Sequence, residues 1–150
     1  MAAPLNTVEV RPARSSDLSE VLRLLAQLHP EDAPPDPDQA ARALAAILSR
    51  DGHALLVAES DSAIAGTLHL VISPNLTHDG SPWAIVENVV VDEAERGGGI
   101  GRTLMQEAER RAREAGCYKV QLMSAEDRGV GAFYESLGFK RRARGYRKYF

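Results

Sequence analysis

Apolar positions along the chain recur with two different periods, and the two alternate. Residues 7–11 (Thr-Val-Glu-Val-Arg) alternate polar and apolar, the pattern of a strand with one buried face. From residue 18 the period lengthens. Leu18, Val21, Leu22, Leu25 and Leu28 fall on one face of a helix that Ser16 or Asp17 would cap. Residues 30–37 (Pro-Glu-Asp-Ala-Pro-Pro-Asp-Pro) cannot continue it, because proline removes a donor and clashes with the preceding turn. A second helix is predicted over about 38–50. Strands at 54–59 and 63–73 follow, joined by the polar turn Ser60-Asp61-Ser62, and then a loop over 73–82 rich in turn formers.

The second half repeats the alternation. A long strand is predicted from Trp83 to Val91, then a helix over about 99–115 with Ile100, Leu104, Ala108 and Ala112 on its apolar face. Glu107, Arg110, Arg111 and Arg113 fall largely outside that face. A strand over 118–123, a short helix over 130–137 ended by Gly138, and a closing strand or hairpin over 139–150 complete the pattern. No repeat or linker interrupts it, so residues 1–150 read as one domain of mixed α and β structure.

Composition narrows the class. The net charge of −3 argues against nucleic acid as the main partner, which calls for a basic face. The single cysteine, Cys117, excludes an internal disulfide and suits a reducing compartment; its helix-to-strand position suggests a packed thiol. No apolar run is long enough to span a membrane and no signal-peptide core opens the chain, so the expected location is the cytoplasm. His29, His53, His69 and His78 lack metal-ligand spacing, so no metal is expected. His69 and His78 lie on or just after a strand expected to border the substrate cleft, where either can meet substrate.

The chemistry concentrates where the apolar run Val89-Val90-Val91 gives way to Arg96-Gly97-Gly98-Gly99-Ile100-Gly101-Arg102-Thr103. A strand, a glycine loop and a helix N-terminus form a phosphate cradle, since the first helical N–H groups lack internal partners and glycine lets a ligand approach the backbone. The dinucleotide pattern Gly-x-Gly-x-x-Gly fails, because its third glycine would be Arg102 or Leu104. The nucleotide P-loop fails too. Arginine replaces its lysine at position 102, and Arg96 stands where its first glycine belongs. What remains is Arg96-x-x-Gly99-x-Gly101. This resembles the acetyl-CoA pyrophosphate loop of the GNAT superfamily of amine N-acetyltransferases. A second segment, Phe133-Tyr134-Glu135-Ser136-Leu137-Gly138-Phe139, resembles the helix that the superfamily packs beside the acetyl-CoA sulfur. One departure stands at Glu126-Asp127-Arg128, where the superfamily often carries an asparagine.

The resemblance implies a central twisted mixed β-sheet flanked by helices, with acetyl-CoA as cosubstrate between Trp83–Val91 and 118–123. It implies pyrophosphate binding by Arg96 with the backbone of Gly97, Gly98, Gly99 and Gly101, while Arg102 either adds a contact or is a solvated helix residue. It also implies that the strand splays from its neighbour, so that backbone groups of Val89, Val90 and Val91 hold the pantetheine arm and one amide faces the developing oxyanion. Tyr134 is the candidate general acid: a phenol with a pKa near 10 keeps its proton at neutral pH and can give it to a departing thiolate. The alternative is a packing aromatic beside Phe133. Glu87 interrupts an otherwise apolar strand and is the candidate base, acting directly or through a water. A structural or half-exposed carboxylate is the alternative.

The acceptor stays open. The acidic loop over 31–38 suits a cationic amine, whereas Lys140, Arg141, Arg142, Arg144, Arg147 and Lys148 suit an anionic group or the cofactor's 3′-phosphate. Both are equally readable as a solvated loop and a basic edge. Gly116-Cys117-Tyr118-Lys119 followed by Phe133-Tyr134-Glu135 resembles glucosamine-6-phosphate N-acetyltransferases, and the segment from Trp83 to Glu87 resembles aminoalkylphosphonate N-acetyltransferases. The leading expectation is direct acetyl transfer to a small primary amine. A protein or peptide acetyltransferase and a non-catalytic acyl-CoA-binding module are the alternatives. Homodimers are common in the superfamily, though no sequence feature here sets the oligomeric state.

Overall fold

The computed structural model describes residues 7–125 and 128–150; Glu126 and Asp127, part of the expected departure from the superfamily, lie outside them. The elements run β1 (Val8–Pro12), α1 (Leu18–Leu28), α2 (Pro37–Ser49), β2 (His53–Ser60), β3 (Ala63–Ser73), β4 (Trp83–Val91), α3 (Ile100–Glu114), β5 (Val120–Leu122) and α4 (Gly131–Ser136). The five strands form one sheet in the order β1-β2-β3-β4-β5, antiparallel except for the parallel β4–β5 pair. The parallel β4–β5 pair is joined by a crossover that carries α3, as parallel pairing requires.

Each face of the sheet is buried by helices, and side-chain alternation assigns the faces. Leu56, Ala58, Leu68, Leu70, Ala84 and Val86 pack with Ile100, Leu104, Met105, Ala108 and Ala112 of α3. Leu55, Val57, Ile64 and Val90 pack on the opposite face with Val21 and Leu24 of α1 and Leu44 of α2. The stripe expected on α1 omits Leu24, which is fully buried and anchors that helix. Gly66 lets α3 come down on β3: a Cβ there would stand 2.9 Å from Leu104 Cδ1 and 3.2 Å from the Val90 carbonyl.

Three expectations are corrected. Pro37 belongs to α2 rather than to the preceding loop. At N1 its missing N–H costs nothing, and Asp36 caps the helix by accepting from the Gln39 amide at 2.9 Å. The strand expected over 118–123 shrinks to Val120–Leu122. The closing strand or hairpin over 139–150 does not form: residues 139–150 carry no regular structure and all beyond Phe139 are exposed. Six cations over 140–148 repel along an extended segment, and Tyr146, Tyr149 and Phe150 gain no burial that would offset the ordering entropy.

The start of α1 is secured by charge. Asp17 accepts from Arg11 Nη1 at 2.8 Å, from Arg11 Nη2 at 3.1 Å and from the Arg14 amide at 2.7 Å, while Arg11 Nε reaches Glu59 at 3.0 Å. The Arg11 hydrogen bonds hold the Asp17 carboxyl below its ordinary range despite burial. Because the folded value is depressed, this contribution is present above the unfolded pKa of about 4 and is lost as pH falls through the folded value. Asp17→Asn leaves the largely buried Arg11 with Glu59 as its one charged partner beside the Pro12 carbonyl, so a loss of about 2–3 kcal/mol is expected, with a Tm decrease on the order of 5–10 °C in a thermal melt at neutral pH. At pH 2 the gap to wild type should narrow; a constant gap would assign the loss to packing.

Candidate active site

The site is built around an interruption in β4. Thr67 pairs with Val90 and His69 pairs with Glu87, so β4 carries one extra residue between these pairs. Asn88 occupies the bulge with φ of 53° and an exposed side chain, which fits the tolerance of asparagine for the left-handed region. The bulge has two consequences. Glu87 stands half-buried on the α1–α2 face, opposite His69. Beyond it Val90 returns to the α1–α2 core, and Val89 and Val91 turn toward α3.

The second feature is the parting of β4 and β5. They pair only from Ala84 with Val120 to Val86 with Leu122. Among the described residues, the β4 edge on that side has no β5 partner from Glu87 onward, which leaves backbone groups there open to another ligand.

The glycine loop lies at the end of this opened strand. Gly97 and Gly99 adopt φ of 84° and 85°, and an added Cβ at either would meet nothing within 4 Å, so backbone conformation rather than crowding requires glycine there. Gly99 caps α3, and its carbonyl accepts from the Thr103 amide at 3.0 Å and the Thr103 hydroxyl at 3.1 Å. The amides of Ile100, Gly101 and Arg102 are the first-turn donors that a helix leaves without internal partners. At Gly101 the reason for glycine is different: a Cβ would stand 3.2 Å from Phe133 Cζ and 3.5 Å from Val91 Cγ2, so α4 closes over the first turn of α3. Arg96 donates from Nε to the Val91 carbonyl at 3.2 Å, which places its guanidinium where β4 ends. Arg102 is exposed and donates to the Ser136 hydroxyl at 3.2 Å, joining α3 to α4.

Sequence reasoning missed the clamp that fixes this loop. Arg23 on α1 binds Asp92 at 2.5 Å and the Ile64 carbonyl at 3.1 Å, and Gln27 accepts from the Glu93 amide at 2.9 Å. Asp92 in turn caps the turn into the loop through the Ala94 amide at 3.1 Å. The Arg23 hydrogen bond lowers the Asp92 pKa. No local signal marks Arg23, since its partner lies 69 residues away.

Tyr134 lies on α4, with ring centroids 5.0 Å from Phe133 and 6.0 Å from Phe139 in edge-on geometry. Its ring packs against the α3-side core, and burial raises its pKa above the ordinary value despite the opposing effect of Arg128. Glu87 and Tyr134 therefore belong to opposite faces of the sheet. His78 is placed elsewhere: it stacks on Tyr118 with centroids 3.9 Å apart, at the end of β4 remote from the glycine loop. Cys117 packs against the α3-side core, and burial pushes its thiol pKa up, as for an inert thiol. Of the C-terminal cations, Arg141 pairs with Glu135 at 3.1 Å.

A glycine-opened helix beside the unpaired end of a strand is a cradle for a phosphate-bearing ligand, and comparison with known proteins identifies the family. The model of the acetyltransferase (GNAT) family matches residues 18–139. The chain is 36% identical over 142 residues to glucosamine 6-phosphate N-acetyltransferase of Trypanosoma brucei brucei, covering 93% of this chain and 94% of that one. Among solved structures, a putative acetyltransferase from Agrobacterium tumefaciens superposes with a TM-score of 0.90 at 38% identity, over 95% of this chain and 99% of that one. Glucosamine-6-phosphate N-acetyltransferase from Arabidopsis thaliana superposes with a TM-score of 0.85 at 28% identity, over 96% and 99%.

The chain belongs to the GNAT acetyltransferase family. It is an acetyl-CoA-dependent N-acetyltransferase. Among the described residues, no helix is long and apolar enough to cross a membrane.

Proposed function

We propose that the protein transfers the acetyl group of acetyl-CoA to the primary amine of a small amino-sugar phosphate, glucosamine 6-phosphate first among them, by direct attack. The observation that supports the reading is the order of parts along β4: Glu87 precedes the bulge, the strand end lacks a β5 partner among the described residues, the α3 N-terminus follows, and α4, which carries Tyr134, packs over Gly101. The acceptor class follows the relative from Trypanosoma brucei brucei, which matches over nearly the full length of both chains. Acetyl-CoA supplies the activated acetyl group. The residues present suit it: Gly97 and Gly99 leave open space, the first-turn amides of α3 lack helical partners, and Arg96 adds charge for a pyrophosphate.

In this reading Arg96, the backbone of Gly97, Gly98, Gly99 and Gly101, and the Arg102 side chain bind the pyrophosphate. Backbone groups of Val89, Val90 and Val91 hold the pantetheine arm, and one of their amides stabilises charge on the acetyl oxygen. Glu87 removes a proton from the acceptor ammonium, because only the neutral amine carries the lone pair that attacks. Tyr134 donates its hydroxyl proton to the departing sulfur.

The test is thiol release from acetyl-CoA across glucosamine 6-phosphate, aminoalkylphosphonates, polyamines, aminoglycosides and lysine peptides. Release with glucosamine 6-phosphate above the others is expected. Release with peptides alone would reassign the enzyme to protein substrates, and binding of acetyl-CoA without release would make it a binding module. A charge-assisted hydrogen bond contributes about 1.5–3 kcal/mol, so Arg96→Ala should weaken acetyl-CoA binding at least about tenfold by calorimetry. Unchanged affinity would remove Arg96 from the cradle.

A further inference from the structure

The proposed base has two histidines beside it that the mechanism above does not use. His69 lies directly across from Glu87 in the β3–β4 ladder, so their side chains share the face away from α3. His53 opens β2 and pairs with Val71, which puts His69 one diagonal step away on that same face. The imidazoles meet: His53 Nδ1 and His69 Nε2 are 3.0 Å apart, with ring centroids at 5.1 Å. Glu87, His69 and His53 thus form a row across three strands. It runs from the opened edge of β4 to the start of β2, where Asp51 and Gly52 are exposed.

The contact uses one nitrogen of each ring and leaves His69 Nδ1 and His53 Nε2 at its two ends. A neutral imidazole is donor at one nitrogen and acceptor at the other, so the pair can take up a proton at one end and release one at the other. Burial and the neighbouring His53 both lower the His69 pKa, which keeps this ring neutral near pH 7. A base that takes a proton from substrate in every turnover must also lose it before the next.

We propose that His69 and His53 form a proton exit that clears Glu87 after it deprotonates the acceptor amine, an assignment that rests on the acetyl-transfer reading above. Glu87 and His69 face each other across the ladder without a direct hydrogen bond, so the proton held by Glu87 passes to His69 Nδ1 through a bridging water. The proton on His69 Nε2 moves to His53 Nδ1, and the proton on His53 Nε2 leaves to water. One proton enters the pair and one leaves; the starting tautomers return when His69 Nδ1 loses its proton to water, the bridging proton moves back from His53 Nδ1 to His69 Nε2, and His53 Nε2 takes a proton from water. The histidines act through Glu87 and contact neither the acetyl group nor the sulfur, so they are relay and positioning residues.

The experiment is steady-state thiol release with glucosamine 6-phosphate by wild type, His69→Gln and His53→Gln, with and without added imidazole, beside acetyl-CoA calorimetry and thermal melts. Glutamine keeps hydrogen-bonding capacity but cannot pass a proton. Each variant should lose about tenfold in kcat while the amine KM and acetyl-CoA affinity stay within about twofold, and imidazole should restore part of the rate. Imidazole should not restore Glu87→Gln. A kcat within twofold of wild type in both variants, or a loss shared with KM and insensitive to imidazole, overturns the relay while leaving acetyl transfer standing. A wild type that acetylates no amine in the panel overturns both. If one variant fails to fold, the other decides, because the route is broken at either end.

Discussion

Tyr134→Phe should lower kcat about 10²-fold while acetyl-CoA affinity stays within about twofold. The substitution removes one hydroxyl and keeps the ring, so the edge-on packing with Phe133 and Phe139 survives and α4 still closes over Gly101. What is lost is the proton for the departing sulfur. Burial raises the folded pKa of Tyr134, so the group stays protonated at and above pH 8 and the wild-type rate should not decline there on its account. Parallel measurement of kcat and of acetyl-CoA dissociation separates the roles. A variant with wild-type kcat would show that Tyr134 is only a packing aromatic.

Glu87→Gln should lower kcat/KM for the amine by a similar factor, about 10²-fold near pH 7. The isosteric amide preserves shape at the bulge but cannot accept the ammonium proton. Without a base, the reaction depends on the small fraction of amine already neutral, which rises about tenfold per pH unit below the amine pKa. The gap between variant and wild type should therefore close as pH approaches the amine pKa. Parallel pH profiles would instead identify Glu87 as a structural carboxylate at the bulge.

How much of this was legible in the chain differs from element to element. The strand from Trp83 to Val91 and the apolar face of α3 could be read with little error, because a local period states which side of an element is buried. The segment over 139–150 could not. Its alternation resembles a strand, but a strand forms only when a partner edge and an apolar face repay its ordering, and neither is encoded within those residues.

The site divides in the same way. The glycine spacing pointed to the cradle because positive φ at Gly97 and Gly99 is a property of single residues. The reason for Gly66, and much of that for Gly101, lies in what approaches them from elsewhere in the chain. His53 was passed over as one of four scattered histidines. Counting back from the Asp61-Ser62 turn brings it near His69, but the register shift at Ala58 and Glu59 makes such counting uncertain by one residue, which would reverse its face.

The sequence by itself determined the order and type of most elements, the glycine-opened helix and the family, since each rests on local period, backbone preference or motif spacing. Only the tertiary structure decided that Asn88 bulges, that β4 and β5 part after Val86, and that Arg23 holds Asp92. It also placed His53, His69 and Glu87 in one row. Those are pairings between residues far apart in the chain, set by the register and packing of whole elements, and no local window contains both partners.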